Sequence, residues 1–98
     1  MLYAIYCIDK PNSMDLRMAH RPAHIEYLKA REGQILVGGA QLGEDGEAML
    51  GSVLIIDAPD AAAARAFADD DPFAKAGLFE SVRITRWRKA FFNPAVAG

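Results

Sequence analysis

The sequence predicts an α+β domain whose elements follow the order β-α-β-β-α-β. Short runs rich in Ile, Val and Tyr alternate with segments of helical spacing, and Gly, Pro, Asn and Asp separate the two kinds of segment. Four strands and two helices in this order are typical of a ferredoxin-like fold, in which an antiparallel four-stranded sheet carries both helices on one face. The length predicts a single domain over residues 1–98.

The first strand and the first helix occupy the first third of the chain. Residues 2–8 are apolar on both faces, which is typical of a central strand that is covered on both sides. Ser13 is the expected N-cap of a helix that continues to about Arg31. Because a proline inside a helix costs about 3 kcal/mol, Pro22 predicts a short helical turn, a kink, and a main helix that begins near that residue.

A β-hairpin is expected in the middle of the chain. Residues 34–42 and 51–58 are two apolar runs joined by a loop that contains Gly, Glu and Asp, and the core of the second run is again apolar on both faces. Gly38 and Gly39 are adjacent within the first run. Glycines inside a strand predict either a bulge or a place where another group approaches the backbone closely.

The second helix and the last strand complete the predicted domain. Asp60 is the expected N-cap of an alanine-rich helix over residues 61–68, which three aspartates and a proline then end. The last strand is predicted over residues 79–90. Residues 91–98 are expected to form a C-terminal tail that is mobile after Pro94.

The apolar content predicts a second copy of the chain as a partner. Apolar residues, counted with Tyr and Cys, make up 52% of the sequence, which is high for a small monomer. The two helices can cover only one face of the sheet, whereas the strands are apolar on both faces. We therefore expect a homodimer in which the open faces of two sheets pack together.

Charge and cysteine content argue against several other classes of protein. A net charge of −2 is unsuited to nucleic acid, and the third strand lacks the aromatic residues on which RNA bases stack, although Arg and Lys flank Trp87. The single cysteine, Cys7, cannot form an internal disulfide and is expected to be a buried, unreactive thiol. The apolar N-terminus lacks a basic flank and is too short to span a membrane, so the cytoplasm is the expected location.

His24 and Asp71 are the candidate catalytic residues. His24 shares a helical face with Leu28, which should direct it toward the sheet, and Asp71 lies where the second helix ends. A carboxylate that accepts from one imidazole nitrogen fixes the tautomer and raises the basicity of the other nitrogen, which produces a general base. The alternative is a buried, hydrogen-bonded histidine with a structural role.

No metal and no cofactor are expected. His20 and His24 have the four-residue spacing of metal ligands on a helix, but Pro22 lies between them and no Glu follows His20. Asp69 and Asp70 are consecutive residues whose side chains point in different directions, so they are expected to be solvated.

Several segments, taken in order, resemble the YciI-like (YCII-related) family. They are residues 1–6 with Asp9 and Lys10, the run Arg-Pro-Ala-His at 21–24, Gly51 with Ser52, and residues 68–73 with 76–78. The resemblance implies a dimeric α/β barrel whose His-Asp active site corresponds to His24 and Asp71. It also implies lyase-type elimination on intermediates of ring degradation. One departure is Ala40, which follows Gly39 where the family usually has proline.

The leading functional hypothesis is therefore a small dimeric enzyme that performs cofactor-independent isomerisation or elimination on a small organic compound. His24 would be the base and Asp71 the residue that orients it, while Tyr6, Ser52 and the backbone of Gly39 would line the pocket. The alternative is a non-catalytic dimer that binds a small ligand or acts as an accessory protein.

Overall fold

The computed structural model describes residues 1–96 of the chain. Its elements are β1 (Leu2–Asp9), α1 (Met14–Lys29), β2 (Ile35–Leu42), β3 (Met49–Asp57), α2 (Ala61–Asp70), α3 (Pro72–Lys75) and β4 (Phe79–Trp87). All neighbouring strands are antiparallel, in the order β2-β3-β1-β4. This confirms the predicted α+β, ferredoxin-like fold, with a four-residue helix, α3, added between α2 and β4.

The helices cover one face of the sheet. On that face Tyr3 and Ile5 of β1 pair with Ile56 and Leu54 of β3, and all four side chains are buried together with Phe67 of α2. The alternate residues of β1 point to the open face, where Leu2, Ala4 and Ile8 are half-buried and Tyr6 is 46% exposed. The part of the open face formed by β1 is apolar, as the strand pattern predicted, whereas β4 places Ser81, Arg83 and Thr85 on this face.

The first helix differs from its prediction at two points. It runs unbroken from Met14 to Lys29 with Pro22 inside, so the predicted division into two helices is wrong. Pro22 and Met18 are both exposed, so water can hydrate the Met18 carbonyl that loses its helical donor. Ser13 also does not cap the helix with its side chain, because its hydroxyl donates instead to the Pro11 carbonyl at 3.4 Å.

The two glycines of β2 pair regularly with β3, so the predicted bulge does not lie at them. The register shifts instead between Ile35 and Val37 and between Gln41 and Leu42. The alternative explanation, close approach of another group to the backbone, is confirmed at Gly38, where a Cβ atom would collide with the side chain of Leu54. The missing side chain leaves room for the cavity described below.

A tight connection between α2 and β4 places Asp71 and Phe73. Asp60 caps α2 as predicted by accepting from the Ala63 amide at 2.8 Å. After α3, Gly77 adopts a φ of +76°, and the Leu78 amide donates to the Phe73 carbonyl at 3.1 Å. This Schellman-type ending buries both Phe73 and Leu78 completely and fixes α3 against the sheet.

The last strand is shorter than predicted. β4 ends at Trp87 rather than at residue 90, and a 3₁₀ turn follows at Pro94–Val96. Residues 97–98 of the predicted tail lie outside the described residues. Within residues 1–96, none of the helices is long and apolar enough to cross a membrane.

Candidate active site

A cavity of about 240 Å³ lies between α1 and the β2–β3 hairpin. One face of α1 forms a wall of this cavity through Arg17, Arg21, His24 and Leu28. These residues are separated by four, three and four positions, which places them in line along one side of a helix. The opposite wall comes from β2 and β3, including the backbone around Gly39 and the side chain of Ser52.

His24 and Asp71 form a buried pair at this cavity, as predicted. The Nδ1 atom of His24 lies 2.9 and 3.0 Å from the two carboxylate oxygens of Asp71. His24 is 7% exposed and Asp71 is 3% exposed. Because an ionised carboxylate can only accept, Nδ1 carries the proton in the neutral imidazole, and Nε2 then has a free lone pair. Nε2 has no hydrogen-bond partner among residues 1–96, and His24 lines the cavity.

Two further contacts fix the orientation of this pair. The imidazole ring stacks on Phe73 with 4.0 Å between ring centroids and 14° between ring planes. One oxygen of Asp71 also accepts from the Phe73 amide at 2.9 Å, so Asp71 caps α3 as well as ending α2. The Asp71 carboxylate is therefore held by the backbone of the next helix, and its position does not depend on His24 alone.

A second buried pair lies beside the first. The Arg17 guanidinium donates to an oxygen of Asp9 at 2.8 Å and to the Ser52 hydroxyl at 2.9 Å. Its central carbon lies 4.7 Å from the centroid of the Phe73 ring, so both pairs contact the same aromatic side chain. Arg17 is 3% exposed. Ser52 accepts from Arg17, and its own proton is left to donate toward the cavity.

The other predicted pocket residues divide between the two faces of the sheet. Ser52 and the Gly39 backbone line the cavity beside His24. Tyr6 pairs with Val53 in the neighbouring strand and points to the open face, away from α1. Within one chain Tyr6 therefore does not line this cavity, because adjacent residues of a strand alternate between faces.

Cys7 lies between the two pairs without taking part in either. Burial is the largest cause that raises the pKa of its thiol to about 12; the negative charges of Asp71 and Asp9 contribute to this rise, and Arg17 opposes it. The thiol is thus protonated and unreactive near neutral pH, in agreement with its predicted role as a small buried side chain.

Sequence reasoning missed Arg17, Arg21 and Asp9 as parts of the site. The signal was available in α1, since Arg17 and Arg21 precede His24 by seven and three positions and so share its face. The role of Asp9 had no local signal, because a carboxylate at the end of a strand also suits a turn. In the described part of the chain, no group of three or more His, Cys, Asp or Glu side chains is placed to hold a metal ion.

Comparison with known proteins identifies the family. The model of the YCII-related domain matches residues 1–88. The chain belongs to the YCII-related family. It is 36% identical to the protein YciI of Escherichia coli O6:H1 and 31% identical to an uncharacterised protein of Haemophilus influenzae. Each alignment covers 93% of this chain and 100% of the relative.

A solved structure with a comparable sequence identity to this chain contains a bound small molecule. It is 5-chloro-2-hydroxyhydroquinone dehydrochlorinase from Burkholderia phenoliruptrix AC1100, in complex with 2,5-dihydroxybenzoquinone. The two chains are 37% identical and superpose with a TM-score of 0.85 over 92% of this chain and 96% of the other. The fold of this YCII-related protein thus occurs in an enzyme that eliminates HCl from a small ring compound.

Proposed function

We propose that this YCII-related protein is a small enzyme that carries out cofactor-independent elimination or isomerisation on a small organic compound, with His24 as the general base. The observation that carries the proposal is the His24–Asp71 pair, with Nδ1 held by both carboxylate oxygens at 2.9 and 3.0 Å beside a cavity. A histidine needed only for packing has no reason to keep its second nitrogen unpartnered at a cavity wall.

The chemistry follows from the tautomer. Nε2 takes a proton from a C–H or O–H bond of the substrate, and the electron pair of that bond remains on the substrate. In an elimination this pair forms a new double bond while the leaving group departs with its own bonding pair. In an isomerisation His24 returns the proton to a different atom. Asp71 stabilises the imidazolium that forms in between, and Ser52 donates to a substrate oxygen that gains negative charge.

The similar dehydrochlorinase supports the elimination. Its reaction releases one proton and one chloride from a hydroxylated ring, and the proton requires a base. The fold and 37% identity make a ring compound of this type the first substrate to test. A cavity of about 240 Å³ accommodates one substituted ring, since an engineered cavity of about 150 Å³ binds benzene.

We also propose that the protein works as a homodimer through the open face of the sheet. Leu2, Ala4, Ile8 and Val53 form an apolar centre there, and the exposed side chains of Tyr6, Val37 and Trp87 surround it. Sedimentation equilibrium at micromolar concentration is expected to give twice the chain mass of 10.7 kDa. The exposed position of Tyr6 makes Tyr6→Arg a test, because a charge in this interface should yield monomers of unchanged fold.

Chloride release from 5-chloro-2-hydroxyhydroquinone tests the catalytic proposal directly. We expect turnover by the wild-type protein and a loss of about 10²- to 10⁴-fold in His24→Asn, the usual contribution of a general base. His20→Asn is the matched control, since His20 lies one turn earlier on α1 and does not line the cavity. Full activity in His24→Asn would overturn the role of His24.

The second candidate function is a non-catalytic dimer that binds a small ligand. Thermal-shift screening of small metabolites distinguishes it, because a ligand well above its dissociation constant raises the unfolding temperature whether or not it reacts. A stabilising ligand that is recovered unchanged after long incubation with wild-type protein would favour this candidate. Conversion of the ligand by wild type and not by His24→Asn would favour the enzyme.

A further inference from the structure

The two arginines at the cavity wall are in different electrostatic situations. Arg17 is buried, and its charge is balanced by Asp9 at 2.8 Å. Its Nε atom is buried and has no partner, so this nitrogen is closed to a ligand as well. Arg17 therefore positions Ser52 and stabilises the wall, but its charge is not available to a substrate.

Arg21 lies one turn further along the same face and has no counterion. It forms no ion pair with any residue from 1 to 96, although it lines the cavity and is exposed to solvent. No carboxylate of these residues lines the cavity, since Asp9 and Asp71 lie behind Arg17 and His24. The only formal charges on the lining are positive.

The rest of the lining is apolar or uncharged. Ile25, Leu28 and Leu54 surround the space beyond Arg21 and His24, and Phe73 lies behind the imidazole. A ligand that fits this distribution has an apolar, flat body and one anionic oxygen. The oxygen would lie at the Arg21 end, where a guanidinium forms charge-assisted hydrogen bonds, and the body would lie against the aliphatic wall.

We infer that the cavity takes a small unsaturated organic anion, and that Arg21 is the residue that binds its negatively charged oxygen. The inference rests on the proposed function in one respect, because the bound anion presents its reacting atom to Nε2 of His24. Arg21 then determines specificity. A neutral analogue of the same shape leaves the guanidinium without a partner and binds more weakly.

Binding of benzoate and benzamide to the full-length protein tests this inference without any turnover. The two probes have nearly the same shape and differ in charge. By isothermal titration at constant ionic strength, we expect wild-type protein to bind benzoate on the order of ten- to a hundred-fold more tightly than benzamide, the range of a charge-assisted hydrogen bond. Arg21→Gln should remove this preference, and Arg21→Lys should restore part of it.

Two control variants separate the sources of any change. Arg65→Gln removes an equal charge from the exposed side of α2, where Arg65 lies 3.9 Å from Asp69, and should bind benzoate as wild type does. His24→Asn should still bind benzoate. Equal affinity of wild-type protein for the two probes, or unchanged benzoate binding by Arg21→Gln, would overturn the inference.

The same variants keep this inference distinct from the proposed catalysis. If Arg21-dependent binding of benzoate is found and no compound is ever converted, the anion site stands and the enzyme proposal fails. If His24-dependent turnover is found and benzoate binds no better than benzamide, the enzyme proposal stands and the anion site fails.

Discussion

The pairs Arg17–Asp9 and His24–Asp71 both contact Phe73 and are similarly buried, but they differ in whether they can gain or lose a proton. Arg17–Asp9 has side chains that are 4% and 3% exposed, and those of His24–Asp71 are 9% and 5% exposed. Arginine stays charged at every pH that a folded protein tolerates, whereas histidine can gain or lose a proton. The first pair is thus a fixed charge pair inside the fold, and the second can exchange a proton with a ligand.

The hydrogen bonds reflect the same difference. Arg17 directs two of its nitrogens to Asp9 and Ser52, and its third nitrogen, Nε, is buried. His24 directs one nitrogen to Asp71 and leaves the other at the cavity. A polar side chain whose charge is balanced by a buried partner stabilises the fold, whereas one that keeps an unpartnered nitrogen at a cavity is available for chemistry.

The largest expected difference between the pairs is in stability. Asp9→Asn leaves a buried guanidinium without its counterion, and we expect it to lower the free energy of unfolding by about 3–5 kcal/mol. Asp57→Asn is the control, because its ion pair with the N-terminus is exposed and should contribute about 1 kcal/mol or less. Urea denaturation measures both. Equal losses in the two variants would show that Arg17 is not a fixed buried charge.

Asp71→Asn should reverse the pattern by affecting activity more than stability. The Asn amide can donate to Nδ1, which moves the imidazole proton to Nε2 and removes the base, so we expect turnover to fall on the order of 10²-fold or more. The Asn carbonyl can still cap α3, so the free energy of unfolding should fall by only about 1–2 kcal/mol. Steady-state kinetics and urea denaturation of one preparation separate the two effects.

The pH dependence of turnover should follow only the titratable pair. Nε2 must be unprotonated to accept a proton, so kcat/KM is expected to fall with unit slope as the pH is lowered into the acidic range. The substitution Arg17→Lys is expected to keep this acidic limb, because its charge takes no part in proton transfer. A pH-independent rate over the range in which the protein stays folded would contradict a histidine base.

The effect expected to be smallest at neutral pH concerns Cys7, which lies near both carboxylates. Its pKa is about 12 in the fold against 9.0 ordinarily, so the fold favours the protonated thiol. The stability from this preference is complete below pH 9 and is lost as the pH rises from 9 toward 12, at about 1.4 kcal/mol per pH unit. The difference in unfolding free energy between wild type and Cys7→Ala should show this slope. Because Asp71 raises the pKa more than Asp9 does, the loss of stability should end at a lower pH in Asp71→Asn than in Asp9→Asn.

Much of the fold followed from the sequence. The apolar runs of β1 and β3, the Asp60 cap and the order of the elements are local signals, and each depends on residues close together in the chain. Two predictions about the first helix failed: Ser13 donates to the Pro11 carbonyl instead of capping α1, and Pro22 lies at a position where solvent exposure decided the outcome. An exposed proline can be tolerated in a helix because water replaces the lost donor, and exposure cannot be read from one residue.

The sequence by itself determined the residue types of the site and the alignment of His24 and Leu28 on one helical face. It also indicated the histidine–aspartate pair before any coordinates. Only the tertiary structure decided that Arg17 donates to Asp9 and Ser52, that Arg21 forms no ion pair within residues 1–96, and that Tyr6 lies across the sheet from His24. These outcomes depend on which distant strands become neighbours and on which face each side chain takes, and a one-residue change of register would reverse them.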